Sequence, residues 1–214
     1  MTRPIHAALL ALGLAGCSLF QGMRDKIPPR EPQPGPAAGE YAGLSGAASR
    51  RDTLYDGLVH RATLTGTWLS PAVRQAGTRQ LAEWQSWSPA ELEAALVADE
   101  AAAAKGEEFV IALYTAERRH NDLDARPSIW RIVLDDGQRR ADAAPAEAIP
   151  SDATTEQLFP YIGPFDTVYR VRVPWSGPPL AGRPFVLRMA SALGTMELDF
   201  GPGGKRAVRP HTVP

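Results

Sequence analysis

The chain contains a single cysteine in 214 residues. A disulfide scaffold within one chain needs an even number of cysteines, so that class of secreted protein is excluded. The sequence also lacks a long apolar run: the stretch Ile5–Leu14 has about ten residues, whereas a helix that crosses a bilayer needs about 20. The formal net charge of −1 gives no support to nucleic-acid binding, which usually shows as a basic domain.

Recognisable enzyme motifs are missing as well. The sequence has no Gly-x-Ser-x-Gly elbow, no His-Glu-x-x-His pair and no phosphate-binding loop. We therefore expect a protein that is not an enzyme and uses no cofactor or metal. Paired carboxylates of a glycosidase leave no local motif, so a hydrolase of envelope polymers stays a third alternative.

The N-terminus has the pattern of an export signal. Arg3 supplies a positive charge, Ile5–Leu14 is apolar, and the small residues Ala15 and Gly16 follow. The four residues from Leu14 to Cys17, Leu-Ala-Gly-Cys, resemble the lipobox of bacterial lipoproteins. The resemblance implies that residues 1–16 are a lipoprotein signal peptide and that Cys17 becomes the acylated N-terminus.

The same resemblance implies a location in the cell. In that family an Asp after the Cys tends to retain the protein in the inner membrane, and this chain has Ser18 there. We therefore expect a lipid-anchored protein of the bacterial cell envelope, in the outer membrane and facing the periplasm. Each buried methylene contributes about 0.8 kcal/mol, and two or more acyl chains of the palmitate kind are needed for a stable anchor.

Proline content separates a tether from a folded domain. Residues 27–40, IPPREPQPGPAAGE, contain prolines 28, 29, 32, 34 and 36 and no apolar periodicity. Such a stretch favours an extended polyproline conformation. We predict a Pro/Gly/Ala-rich tether over residues 17–53, a folded domain over 54–200 and a disordered tail over 201–214.

The periodicity of the domain predicts a mainly β fold. Residues 58–67 alternate as a half-buried strand, with His60 on the apolar face. A helical stripe follows, and Ser88-Pro89-Ala90-Glu91 matches a capping box, so two helices are expected between about 71 and 104. Short strands follow, at 108–116, 128–135, 166–175, 183–191 and 194–200. This spacing favours an immunoglobulin-like β-sandwich of about six or seven strands, with a two-helix insertion after the first.

Four arginines are the main candidates for a binding site. Arg131, Arg170, Arg172 and Arg188 alternate with apolar residues on predicted strands, and Arg61 is a possible fifth. A sheet face lined by guanidinium groups suits an anionic lipid, glycan or peptide. The alternative is an ordinary exposed face, with Glu197 and Asp199 as cross-strand partners.

Aromatic and acidic residues give weaker candidates. Trp175 follows a proline at a loop edge, and with Tyr161 and Phe165 it suits stacking on a sugar or peptide, whereas Trp84 and Trp130 lie on apolar stripes. The loop containing His120, Asp122 and Asp124 has oxygen ligands but lacks the Gly turn and distal Glu of a calcium loop. A solvated loop without a metal is therefore expected.

These observations leave two main functional hypotheses. The first is a membrane-anchored, non-enzymatic structural or interaction module of the envelope, whose partners are the bilayer, through Cys17, and an envelope protein. The second is a ligand-binding module that uses the arginines or Trp175. A flat domain surface favours the first, and a concave arginine-lined or aromatic surface favours the second.

Overall fold

The computed structural model describes residues 39–207, which include nine strands and four α-helices. The helices are α1 (Glu40–Ala47), α2 (Pro71–Gln85), α3 (Pro89–Ala103) and α4 (Ala153–Leu158). The strands are β1 (Ser49–Asp56), β2 (Val59–Trp68), β3 (Glu107–Thr115), β4 (Arg131–Asp135), β5 (Arg140–Asp142), β6 (Glu147–Ala148), β7 (Thr167–Val173), β8 (Val186–Ser191) and β9 (Gly194–Asp199). The predicted signal peptide, Cys17 and the proline tract lie outside the described residues.

The strands form two antiparallel sheets. One has five strands in the order β1-β2-β3-β7-β6, and the other has four in the order β5-β4-β8-β9. Apolar side chains from both sheets contact one another in a shared core, in which Phe109 and Val171 of the first sheet meet Leu187 and Met196 of the second. The domain is thus mainly β, as the periodicity predicted.

Strand alternation produces this core. On β3 the buried side chains Phe109, Ile111 and Leu113 belong to the shared core, while Glu108 and Val110 have the opposite phase. The outward-facing side of the five-stranded sheet is covered too. There Val110 packs against Phe159 and Val168, and α1 and α2 form a further small cluster around Tyr41 and Val73.

Helices α2 and α3 lie in the predicted range. The Ser70 side chain accepts the Val73 N–H at the start of α2, and Ser88 and Glu91 form the predicted capping box of α3. Thr78 donates a hydrogen bond to Asp99 and so links the two helices. Trp130 is buried, but Trp84 on α2 is 40% exposed, which corrects the expectation that it belongs to the core.

The domain begins earlier and ends later than predicted. The tether was expected to reach residue 53, but α1 begins at Glu40 and β1 at Ser49, so the helical pair follows the second strand. The tail was expected to start at 201, but residues 201–207 pack on the domain: Lys205 O accepts the Arg51 N–H, and Ala207 N–H donates to Ser49 O. Residues 208–214 lie outside the described range.

A β-bulge changes the side to which His60 points. Leu54 pairs with Ala62 and Tyr55 pairs with His60, so Arg61 is the extra residue of β2. One extra residue reverses the alternation beyond it. His60 therefore hydrogen-bonds Thr63 at 2.8 Å and stacks on Tyr114, instead of joining Ala62 in the core.

Candidate functional site

Two of the predicted arginines meet on the outward side of the five-stranded sheet. Arg172 lies directly opposite Glu108 in the β3–β7 register, and Arg170 is two residues away on the same side. Arg74 of α2 reaches the same carboxylate from above. The guanidinium nitrogens lie 3.1 Å (Arg74), 2.9 Å (Arg170) and 3.4 Å (Arg172) from Glu108 oxygens. We call these four residues the Glu108 cluster.

The four side chains of the Glu108 cluster differ in how deeply they are buried. The side chains of Arg74 and Glu108 are each 7% exposed, whereas those of Arg170 and Arg172 are 38% and 56% exposed. Arg172 also lies 3.7 Å from Glu147. The Arg170 Nε–Oε1 approach is an ion pair by distance, although the N–H has no hydrogen-bond geometry. Three guanidinium groups thus face two carboxylates.

The other two predicted arginines lie on the four-stranded sheet. Arg131 pairs with Asp142 at 2.6 Å, and Arg188 pairs with Glu197 at 2.8 Å. The hydrogen bond from Arg131 holds the pKa of Asp142 below its usual range. Arg140 and Asp135 add a third pair at 2.6 Å around the same shallow depression. Positive and negative charges are therefore balanced on this surface.

The expected single arginine face is consequently divided. Both pairs of arginines alternate with residues of the shared core, so each pair points away from that core on its own sheet. Of the two acids expected to neutralise them, Glu197 binds Arg188, whereas the Asp199 side chain accepts the Gly201 N–H. Arg61 pairs with Asp56 and Glu117. Each candidate arginine has a carboxylate partner.

Trp175 does not form an aromatic platform with its expected neighbours. It is half-buried, packs against the shared core and donates Nε1–H to Pro178 O at 3.0 Å. Tyr161 belongs to the separate cluster around Phe159, while Phe165 is 80% exposed. The three rings therefore do not make one stacking surface.

A small cavity of about 50 Å³ between α1, β2 and the segment after α4 is lined by hydroxyl groups. Ser49 Oγ lies 2.6 Å from both Ser45 O and Thr67 Oγ1, and Thr67 donates to Tyr161 OH at 3.0 Å. Tyr161 OH donates in turn to Val110 O. Burial raises the pKa of Tyr161, so its phenol stays protonated in this chain of hydrogen bonds. The cavity suits a role in packing.

The loop that contains His120, Asp122 and Asp124 is held by hydrogen bonds within the domain. Asp122 accepts hydrogen bonds from the Ser128 hydroxyl and the Ile129 N–H, and the carbonyl of His120 accepts Trp130 Nε1–H. Within residues 39–207 no three His, Cys, Asp or Glu side chains come together as metal ligands would. The same residues include no helix with the length and apolar character needed to cross a bilayer.

The end of the β1–β2 hairpin leaves three apolar side chains exposed, on both faces of the hairpin, because Tyr55 pairs with His60 and Val59 pairs with the neighbouring Asp56. Leu58 at its turn is 100% exposed, Val59 is 54% exposed and Tyr55 is 60% exposed. We call these three residues the hairpin tip. Its base is braced by rings: Tyr55 lies 5.4 Å from His60, which stacks on Tyr114 at 5.2 Å. The sequence predicted Leu58 as a strand residue and so gave no sign of this surface.

Comparisons with known proteins found no relative of this chain. No protein-family model, curated protein or solved structure matches the chain.

Proposed function

We propose that this chain is a lipid-anchored protein of the bacterial envelope whose domain is a non-enzymatic interaction module. The observation that carries the interaction role is the hairpin tip, where Leu58 is fully exposed and Tyr55 and Val59, on opposite faces of the hairpin, are each more than half exposed. Clustered exposed apolar groups mark contact sites more often than scattered ones do. The partner class is an envelope protein with an apolar recess.

The anchor rests on the sequence Leu14-Ala15-Gly16-Cys17 and on the absence of any other cysteine. Acylation at Cys17 places the bilayer at one end of the tether and the described domain at the other. The proposed location is the outer membrane, with the domain facing the periplasm, because Ser18 follows the cysteine. Two sheets with one core support a β-sandwich form for the domain, and its immunoglobulin-like arrangement stays a prediction.

The second hypothesis, an anionic ligand on the predicted arginines, has less support. Arg131 and Arg188 have one acid each, and Arg170 and Arg172 share Glu108 with the buried Arg74. An anion at the Glu108 cluster would compete with a carboxylate that is already in place. We therefore assign these arginines to the stability of the domain.

Two substitutions test the proposal separately. Cys17→Ser should release the protein from the membrane fraction, and the wild-type N-terminal peptide should gain the mass of the acyl groups. Leu58→Ser should leave the anchor intact but reduce the size of the complex that the solubilised wild-type protein forms. The matched control is Val97→Ser, which changes a 62% exposed apolar side chain on α3. Membrane retention of Cys17→Ser would refute the anchor, and equal behaviour of Leu58→Ser and Val97→Ser would refute the role of the tip.

A further inference from the structure

A groove of about 460 Å³ shares no residue with the Glu108 cluster, although Val73 in its wall precedes Arg74 in the chain. Its walls come from the end of α1, the end of β2, the start of α2 and the loops at 180–185 and 200–202. They are mainly apolar, and the large side chains are Leu44, Trp68, Val73, Leu180, Phe185 and Phe200. This volume lies in the range of small-molecule sites.

Arg50 is the unusual residue of this groove. It is 8% exposed, and its guanidinium has no carboxylate among its hydrogen-bond acceptors in the described chain. Nε donates to Asp199 O at 2.7 Å, and Nη1 donates to the carbonyls of Ala47 and Ser49 at 2.7 and 2.9 Å. The face of Phe200 lies 5.3 Å from its central carbon. Three of the five N–H groups are therefore used.

Nη2 of Arg50 makes no hydrogen bond within residues 39–207 but is still reached by solvent, whereas Nη1 of Arg183 in the same wall is buried without an acceptor. A buried guanidinium without an anionic partner is costly, which makes an anion in the groove favourable. Burial lowers the pKa of Arg50, and the neighbouring Arg206 adds to this effect, while Asp199 opposes it. The start of α2 at Ser70 adds the positive end of a helix dipole to the same wall.

The second arginine in the wall is already neutralised. Arg183 lies within ion-pair distance, 3.5 Å, of Asp136, although Asp136 Oδ2 and Arg183 Nη1 make no hydrogen bond. Apart from these arginines, the described residues add to the lining only the Ser70 hydroxyl, which caps α2, and the Trp68 indole N–H, which donates to Glu107. A peptide backbone laid in such a groove would lose its hydrogen bonds to water without gaining others, whereas an alkyl chain has none to lose.

We propose that this groove binds a fatty acid, with its carboxylate on Arg50 Nη2 and its alkyl chain along Trp68, Phe185 and Phe200. The charge of the groove selects the carboxylate, and its apolar walls select the chain. This site is separate from the hairpin tip, so it does not depend on the proposed interaction role.

The test is calorimetric titration of the full-length chain carrying Cys17→Ser with dodecanoate, decanoate and dodecanol below their micelle or solubility limits. We expect saturable binding of one dodecanoate, about fourfold weaker for each methylene removed. A charge-assisted hydrogen bond predicts dodecanol to bind about ten- to a hundredfold more weakly. Absence of saturable dodecanoate binding, or equal affinity for dodecanol, would overturn the proposal.

Two variants locate the site. Ala47→Trp fills the groove from an exposed position of α1 and should abolish binding, whereas Ala101→Trp, on an exposed position of α3, should leave it unchanged. Arg50→Gln should weaken dodecanoate but not dodecanol, provided that circular dichroism shows a folded chain. If Arg50→Gln fails to fold, the comparison of Ala47→Trp with Ala101→Trp still tests whether dodecanoate binds in the groove. A concentration-dependent dimer that Ala47→Trp dissociates would assign the groove to a second copy and overturn the proposal.

Discussion

Glu108 is the residue whose loss should most clearly distinguish a structural from a ligand-binding arginine cluster. Glu108→Gln removes the charge that three guanidinium groups share but keeps the size of the side chain. Arg74 and Glu108 are both 7% exposed, so this pair belongs to the buried class, in which removing one partner costs about 3–5 kcal/mol. The exposed partners Arg170 and Arg172 add at most about 1 kcal/mol each.

We therefore expect Glu108→Gln to lower the free energy of unfolding by about 3 kcal/mol. A domain of this size has a total of about 5–15 kcal/mol, so the loss is large. The assay is urea unfolding followed by circular dichroism, in which the midpoint should fall by about 1–3 M.

The control is Glu197→Gln, which breaks the exposed Arg188 pair. Those side chains are 42% and 44% exposed, so the expected loss is at most about 1 kcal/mol. Losses of the same small size in both variants would show that the Glu108 cluster does not hold α2 to the sheet. The arginines would then be free for a ligand, and the division of roles argued above would be wrong.

Two further predictions concern burial and backbone space. Burial raises the pKa of Asp166, so its ionised form destabilises the fold above that pKa, and the penalty disappears as the pH falls and the carboxyl gains a proton. Asp166→Asn keeps an acceptor for the Gly163 N–H and should melt higher than wild type at pH 7, with the difference vanishing near pH 3; an unchanged difference would contradict this. Gly106 has φ of +135°, and a Cβ there would lie 2.4 Å from Val173 O. Gly106→Ala should therefore lower the melting temperature by several degrees, and an unchanged value would refute the close approach.

The sequence predicted the elements whose pattern is local. Strand β3 is apolar on both faces, as a central strand is, strand β9 alternates, and Ser88 and Glu91 mark the start of α3. The elements it missed have weak local signals. Helix α1 is rich in glycine and alanine, and its one large buried side chain is Tyr41; β1 is a polar edge strand, and β6 has two residues.

The site residues depended on contacts that are distant in sequence. Alternation placed Arg170 and Arg172 outward correctly. It could not assign Arg131 and Arg188 to the other sheet, because the periodicity of a strand does not show which strands are its neighbours. Arg74 was missed because its partner Glu108 is 34 residues away. Arg50 was assigned to the tether, since a lone arginine in a polar stretch gives no sign that backbone carbonyls will enclose it.

Photo-crosslinking in cells tests the central claim most directly, which is that the lipid-anchored domain contacts a partner through the hairpin tip. A photoreactive residue placed at Leu58 in the anchored protein should give one dominant crosslinked species, and that species should disappear when Cys17→Ser is added. The same residue at Val97 should give none. Equal crosslinking at both positions, or none at Leu58, would contradict the account.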